Sequence, residues 1–489
     1  MSATTETTPR ALKFYVNGKW EDAPGRDLHP VFNPATGRAI AHVPYATVED
    51  VDRVARAAHQ AFLQWREVPV VDRVQVLYRY KNLLEKHADE VARILTTENG
   101  KTLDDARGSV RRAIQMVEVA CGMPSLMQGH SLENVSRGID CQTIRQPLGV
   151  CAGISPFNFP AMVPMWMLPF AIACGNTFIL KPSEKVPLTP TRTAELLDEA
   201  GVPAGVYNLI HGDKVAVDAL LHHPLVRAVS FVGSTPVAKH IYETSAAEGK
   251  RVQALGGAKN HLVVMPDADL KQSVQAIMGS AFGAAGERCL AGSVLVPVGE
   301  VAEPLLEMLL EECRKMKVGD GALPETGMGP LVTEDHRQRV LGYIEKGVAE
   351  GAKPLCDGRA LAAERADGYF VGPTIFDGVR PDMTIAREEI FGPVLSVIRV
   401  KSLDEAIALI NSCAFGNTSS IFTTSGKSAR EYASRIEVGM VGVNIGVAAP
   451  MAFFPFSGWK HSFFGDLHAH GRDAIAFYTE QKVVMTRWF

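Results

Sequence analysis

One cysteine in this chain sits where its sulfur can be approached. The run Gly283-Ala284-Ala285-Gly286-Glu287-Arg288-Cys289-Leu290-Ala291-Gly292-Ser293 surrounds Cys289 with small side chains. The adjacent Arg288 favours the thiolate, the form of a thiol that attacks carbonyl carbon. An inert core cysteine is the alternative reading, and no Cys-His-Asn pattern supports a protease-like triad. Two further stretches have the chemistry to hold a nucleotide. Phe231-Val232-Gly233-Ser234-Thr235 reads as a strand-to-helix junction, where a Gly-Ser turn offers backbone N–H groups to a pyrophosphate. Lys181-Pro182-Ser183-Glu184 follows another apolar run, and its Lys and Glu can hydrogen-bond a ribose diol. An acid there repels a 2′-phosphate and so favours NAD over NADP. An ordinary helix cap and surface charge are the respective alternatives. No G-x-G-x-x-G fingerprint follows any expected strand.

These residues need elements to position them. Apolar spacing of three and four predicts helices over 48–62, 72–95 and 102–121. From 150 onward strands and helices alternate. Strands are expected at 150–154, 177–180, 206–210 and 228–232, with helices at 161–173, 191–200 and 215–221. That rhythm implies a parallel sheet covered on both faces. A second α/β series follows, with strands at 262–265, 293–297, 394–399, 419–423 and 440–444. Residues 12–45 read as short strands with turns at Asn17-Gly18 and Asn33-Pro34, and 474–487 reads as a closing strand.

Composition narrows the class. The chain has 489 residues, 50 Lys plus Arg against 54 Asp plus Glu, and a net charge of −4. That balance argues against a nucleic-acid binder. The eight cysteines show no C-x-x-C pair, and no Cys/His cluster has metal-ligand spacing, so no metal site and a reduced, cytoplasmic setting are expected. The N-terminus is polar with no apolar leader. Residues 147–180 are apolar and uncharged until Lys181, but Pro156, Pro160, Pro164 and Pro169 favour a buried core run over a membrane span.

Taken together, Pro156-Phe157-Asn158-Phe159-Pro160, Lys181-Pro182-Ser183-Glu184, Phe231-Val232-Gly233-Ser234, Gly286-Glu287-Arg288-Cys289 and Glu388-Glu389-Ile390-Phe391-Gly392-Pro393 resemble the aldehyde dehydrogenase superfamily in order and spacing across nearly the whole chain. Within it, the stretches at 156–184, 257–261, 282–289 and 477–484 are most similar to the CoA-acylating methylmalonate-semialdehyde (malonate-semialdehyde) dehydrogenases. The resemblance implies an α/β fold with a Rossmann-type NAD-binding domain (1–124 and 147–255), a catalytic domain (256–450) and a β oligomerisation arm (125–146 and 467–489). It implies Cys289 as nucleophile and Asn158, with the Cys289 N–H, as oxyanion hole. Ser155, Phe157, Lys181, Glu184, Lys185, Gly233, Ser234, Gly256, Glu389 and Phe391 are implied on the cofactor side, and Trp166 in the substrate wall. A homotetramer, or at least a homodimer, is implied as the assembly.

One departure bears on the reaction. Hydrolytic members carry a water-activating Glu in Glu-Leu-Gly-Gly, and this chain reads Gln253-Ala254-Leu255-Gly256-Gly257-Ala258-Lys259. Neither Ala254 nor Leu255 is a base, and a general base is worth about 10²–10⁴-fold. The thioacyl enzyme is then expected to await a better nucleophile such as coenzyme A. Arg112 and Arg288 are expected to clamp a carboxylate on the substrate, although a solvated helix face is the alternative for Arg112. The expected activity is oxidation and decarboxylation of methylmalonate or malonate semialdehyde to propionyl-CoA or acetyl-CoA. A hydrolytic dehydrogenase releasing a free acid and a non-catalytic scaffold are the rivals.

Overall fold

The computed structural model describes residues 10–489 except 24 and 366. The polar segment read as carrying no leader lies at 1–9, outside the described residues. The alternation after 150 builds an eight-stranded sheet. Its parallel part contains Val150–Ile154, Thr177–Lys181, Tyr207–Leu209, Val226–Val232 and Arg251–Leu255. Helices Met162–Ala173, Leu188–Glu199, Lys214–His222 and Thr235–Ala247 connect them. Strands covered on both faces read as unbroken apolar runs, and Val150–Ile154 is buried at all five positions.

Strand order explains where a ligand can enter. From Val150–Ile154 the chain steps to Thr177–Lys181 and Tyr207–Leu209 on one side. It then returns to lay Val226–Val232 along the other side, with Arg251–Leu255 beyond. Such a reversal leaves a crevice at the carboxyl ends of the two diverging strands, the preferred ligand position in open α/β sheets. Ile154 pairs with Lys181 and with Phe231, and Val232 with Leu255. Ser155, Lys181, Gly233 and Gly256 therefore share one edge of the sheet. The hairpin of Phe14–Val16 and Lys19–Glu21 extends the far side. Its turn has Asn17 at φ 49° and Gly18 at φ 74°, the left-handed pair that a two-residue hairpin requires.

The second series forms a seven-stranded sheet. Its order is Lys353–Cys356, Thr374–Asp377, Val394–Val397, Gly292–Pro297, Asn260–Val264, Thr418–Phe422 and Met440–Val443, parallel except at the Lys353–Cys356 edge. The C-terminal stretch links the two sheets. Trp459–Lys460 pairs with Phe415–Gly416, and Phe463–Phe464 runs antiparallel to Arg251–Leu255. A third sheet combines Ser131–Ser136, Ile139–Pro147 and Thr479–Arg487, and its outer strands are largely exposed.

Two sequence expectations change, and the strands Arg251–Leu255, Lys353–Cys356 and Thr374–Asp377 were not expected. The stretch 72–95 is two helices, Val70–Lys86 and Ala88–Asn99, meeting at His87. Both bury apolar faces in the same core, so the periodicity runs on across the break. The stretch 474–487 begins as a helix, Gly471–Phe477, and only Thr479–Arg487 is strand. Ala474, Ile475 and Phe477 are buried in the core beside Met162–Ala173, so the span 467–489 divides between core and arm. The uncharged run is core: every residue from Val163 to Ala173 is buried. No described helix is long and apolar enough to cross a membrane.

Candidate active site

Cys289 follows a tight left-handed turn. Ala284, Ala285 and Gly286 have φ of 49°, 52° and 72°. Two successive non-glycine residues in this region store strain, a feature that concentrates at functional sites. The small residues flagged around the cysteine have a packing reason as well: a Cβ on Gly286 would strike the Gly392 carbonyl. The turn delivers Cys289 to the wall of a cleft of about 340 Å³. Two amides then fix its backbone, because Asn260 and Asn417 each donate from Nδ2 to the Cys289 carbonyl, at 2.9 and 2.8 Å.

Two helices form the facing walls. Leu103–Cys121, capped by the Thr102 hydroxyl on the Asp105 N–H, turns Asp105, Gly108, Ser109, Arg112 and Met116 toward the cleft. That is one helical stripe at spacings of three and four. Met162–Ala173 contributes Met162 and Trp166, one turn apart. Trp166 stacks against Phe456 with ring centroids 4.7 Å apart. The cleft thus gathers Cys289, Arg112, Arg288 and Trp166, as expected. Arg112 is half-buried and lines the cleft. Its guanidinium meets only Gln115 Oε1 at 3.4 Å and Met451 Sδ at 3.1 Å, whereas Arg107 pairs with Asp89 outside.

Arg288 differs from expectation. Its guanidinium is ion-paired with Asp105 at 2.5 Å and donates to the Gly279 carbonyl at 3.0 Å, so two of its nitrogens are committed within the protein. Nor does it make Cys289 a ready thiolate. Burial, and after it the Glu389 carboxylate, push the thiol up to about 12, and Arg288 offsets only part of this. Asp105 neutralises the arginine that was expected to dominate.

Asn158 bonds the segment that leads into the nucleophile. Its Nδ2 donates to the Glu287 carbonyl at 2.9 Å. An amide NH₂ has two donors, and this bond uses one. The loop carrying Asn158 is held by a segment that sequence reasoning missed. Asn99 Nδ2 donates to the Phe157 carbonyl at 3.1 Å, and Lys101 Nζ to the Asn158 carbonyl at 2.5 Å. Lys101 also lies 4.1 Å from the Phe159 ring centre, and burial lowers its ammonium to about 7. Glu98 accepts from the N–H groups of Leu188 and Thr189 at a helix start. The sequence signal was a charged and amide cluster, Glu98-Asn99-Gly100-Lys101, sitting at the end of an apolar helix.

The crevice edge carries the remaining residues. Lys181 Nζ and Glu184 Oε2 are 3.2 Å apart. The Ser155 hydroxyl is buried without a partner. Gly233 N–H bonds Leu255 O at 3.0 Å, and Gly256 N–H bonds Ser462 O at 2.9 Å. Ser234 occupies the N-cap of the 13-residue helix Thr235–Ala247, is exposed, and makes no side-chain capping bond. Its hydroxyl and the N–H groups of Thr235 and Val237, Pro236 having none, stand at a helix start where the dipole favours an anion. Phe157 and Phe391 meet edge to face at 5.8 Å, with Lys185 Nζ 5.1 Å from the Phe157 ring centre. Phe391 has φ 60°, and its carbonyl meets His336 Nε2 at 2.7 Å. Glu389 Oε1 accepts from Ala258 N–H at 2.8 Å, and its other oxygen lies where a Cβ on Gly257 would stand. Burial pushes this carboxyl up to about 7. A helix start open to an anion, a Lys–Glu pair and a carboxylate bonded to one backbone N–H are groups able to contact the phosphates and ribose hydroxyls of a dinucleotide. At the position of the hydrolytic Glu, both Ala254 and Leu255 are buried in strand pairing with Val226–Val232 and Phe463–Phe464.

Comparison with known proteins agrees with this geometry. The Aldehyde dehydrogenase family pattern matches residues 20–484. Malonate-semialdehyde dehydrogenase 1 of Geobacillus thermodenitrificans is 52% identical over 482 residues, covering 99% of this chain and 100% of the relative. The corresponding protein of Oceanobacillus iheyensis is 53% identical, covering 98% of each. Among solved structures, methylmalonate-semialdehyde dehydrogenase from Oceanimonas doudoroffii superposes with a TM-score of 0.96 at 48% identity over 98% of both chains. A Sinorhizobium meliloti protein complexed with NAD, provisionally named a methylmalonate-semialdehyde dehydrogenase, gives 0.97 at 45% identity over 99% of both. With its cysteine cleft, its crevice and full-length similarity in accord, the chain belongs to the aldehyde dehydrogenase family.

Proposed function

We propose that this chain oxidises malonate or methylmalonate semialdehyde with NAD and transfers the acyl group from Cys289 to coenzyme A with loss of carbon dioxide. The observation that carries the reading is the cleft itself. A nucleophilic cysteine faces a guanidinium without a carboxylate partner, Arg112, and an apolar residue fills the place of the water-activating Glu. The names of the similar proteins support the substrate class.

Each residue has a task in this reading. Arg112 holds the substrate carboxylate and aims the aldehyde at Cys289. The Cys289 sulfur, having lost its proton to solvent, bonds to the aldehyde carbon, and the carbonyl electron pair moves to oxygen. The free N–H of Asn158 and the Cys289 backbone N–H stabilise that oxyanion. Bound NAD supplies the hydride acceptor for the aldehyde carbon. Lys181, Glu184, Gly233, Ser234, Gly256 and Glu389 would hold it, and Ser155, Phe157, Lys185 and Phe391 would pack around it. The acyl group then rests on Cys289 as a thioester. Ala254 and Leu255 cannot deprotonate water, so the coenzyme A thiolate attacks and the cysteine sulfur leaves. The carboxylate lies β to a thioester carbonyl, which accepts the electron pair as carbon dioxide departs; a proton completes acetyl-CoA or propionyl-CoA.

The reading extends to organisation. Residues 1–124 and 147–255 form the NAD-binding unit, 256–450 the catalytic unit, and 125–146 with the C-terminal strand an arm that joins copies into a homotetramer in the cytoplasm. The test is product identity by mass spectrometry from both semialdehydes, with NAD and with or without coenzyme A. Acetyl-CoA and propionyl-CoA are expected. Free acids formed equally well without coenzyme A would reject the reading in favour of hydrolysis.

A further inference from the structure

Among the described residues, nothing satisfies several polar atoms of side chains that line the Cys289 cleft. Both ring nitrogens of His470 and Nε1 of Trp166 lack hydrogen-bond partners, although the side chains are only 1% and 2% exposed. Both line the cleft together with Arg112 and Cys289. Their rings meet edge to face at 5.3 Å, and Phe456 packs against each. Buried polar groups are normally paired, so an unpaired cluster demands an explanation.

The backbone adds a second, independent observation. His470 is held at φ 47° and ψ −169°, a conformation that side-chain-bearing residues rarely adopt. The following Gly471 packs so closely that a Cβ would lie 2.8 Å from the Phe454 carbonyl carbon. Ala469 O accepts from Phe456 N–H at 2.9 Å, pinning the segment. The neighbouring His468 is satisfied, with Nδ1 3.1 Å from Asp473. The fold therefore turns one histidine to a carboxylate of its own and the other, at the expense of strain, into the cleft.

We propose that His470 is a specificity-determining residue that donates a ring N–H to an oxygen of the substrate carboxylate held by Arg112, with Trp166 Nε1 as a second neutral donor to the same group. This rests on the carboxylate-bearing substrate proposed above. Burial, with a smaller contribution from Arg112, pushes the imidazole down to about 3; the nearby Phe454 carbonyl pulls the other way but stands outside hydrogen-bond geometry with either ring nitrogen, so the single N–H is left for a ligand. The ring is neutral at working pH and gives one N–H without adding a buried charge beside Arg112. An aldehyde without a carboxylate leaves these donors unpaired, and sites built to hydrogen-bond a substrate group discriminate strongly against analogues lacking it.

The test compares malonate semialdehyde with propanal in the holoenzyme with NAD and coenzyme A. His470→Leu is expected to lower kcat/KM for malonate semialdehyde by about 10–100-fold, chiefly through KM, while propanal changes by less than about threefold. His470→Asn, which tolerates positive φ and retains an N–H donor, is expected to stay within about fivefold of the parent. Trp166→Phe keeps the ring packing, removes only the indole donor, and is expected to lose about three- to tenfold for the carboxylate substrate alone. Equal losses for both aldehydes in the Leu and Phe variants would make these residues structural and overturn the proposal, as would no loss for either. If the parent enzyme itself does not prefer malonate semialdehyde to propanal, the substrate assignment fails, a result visible before any variant is made.

Discussion

Cys289 is subject to opposing influences, and their balance sets its reactivity. Burial and the Glu389 carboxylate raise the thiol to about 12, while Arg288 lowers it but is neutralised by Asp105. A raised thiol pKa means the thiolate is scarce at neutrality and grows tenfold per pH unit. Alkylation of Cys289 by iodoacetamide in the free enzyme is therefore expected to rise log-linearly with slope near one from about pH 7 to 9.5, followed by peptide mass spectrometry. A plateau below pH 8 would show a preformed thiolate. Asn158→Ala removes a side-chain donor to the oxyanion and is expected to lower kcat by about 10²–10³-fold, with alkylation of Cys289 unchanged. At this scale the resemblance of short motifs pointed to Cys289, Arg112 and Trp166, which share the cleft, and to Asn158, which bonds the Glu287 carbonyl. It did not point to the Arg288–Asp105 pair, the two amides on the Cys289 carbonyl, or His470. Each depends on contacts between segments far apart in sequence, which no local pattern encodes.

Elements position these residues, and the segment 98–101 does so with the least sequence advertisement. Lys101 reaches the Asn158 carbonyl, so its loss loosens the loop that carries the proposed oxyanion donor. A displacement of about 1 Å at such a site costs about 10²-fold in rate. Lys101→Met is therefore expected to lower kcat by about 10–100-fold with little change in the KM for NAD; an unchanged kcat would show that the loop holds itself. Most central strands of both sheets were legible to within a few residues because buried parallel strands are short apolar runs bounded by turns, but Arg251–Leu255, Lys353–Cys356 and Thr374–Asp377 were not expected. Helix breaks were harder. At His87 the chain changes direction while its apolar periodicity continues, and at 471–477 the pattern Ala474-Ile475-Ala476-Phe477 suits a strand until tertiary packing curls it into a helix.

At the scale of the molecule, the two main sheets and their connections account for the site, but the third sheet stands apart. Leu132, Val135, Ile144, Val483, Met485, Trp488 and Phe489 are exposed on or beside it. Exposed apolar surface of this kind commonly marks association sites, in keeping with the arm proposed to join copies of the chain. The double variant Val483→Glu, Met485→Glu is expected to shift the protein from a multimer to smaller species in light-scattering chromatography, leaving the fold intact by circular dichroism. A parent protein already monomeric would contradict the assembly. The sequence suggested this arm through the family resemblance; nothing in the local pattern of 131–147 says which strand will join it. The partner strand Thr479–Arg487 comes from the chain's far end.

The central claim is that the acyl group waits on Cys289 for a thiol, and a single-turnover experiment addresses it most directly. Enzyme, NAD and malonate semialdehyde are mixed without coenzyme A, NADH is followed in time, and the protein is quenched for intact mass. A burst of about one NADH per chain, an acyl adduct on Cys289, and a following phase slower by about 10²-fold or more are expected. Adding coenzyme A should clear the adduct and restore turnover. Continuous NADH formation with no adduct, and with solvent oxygen appearing in a free acid, would contradict it.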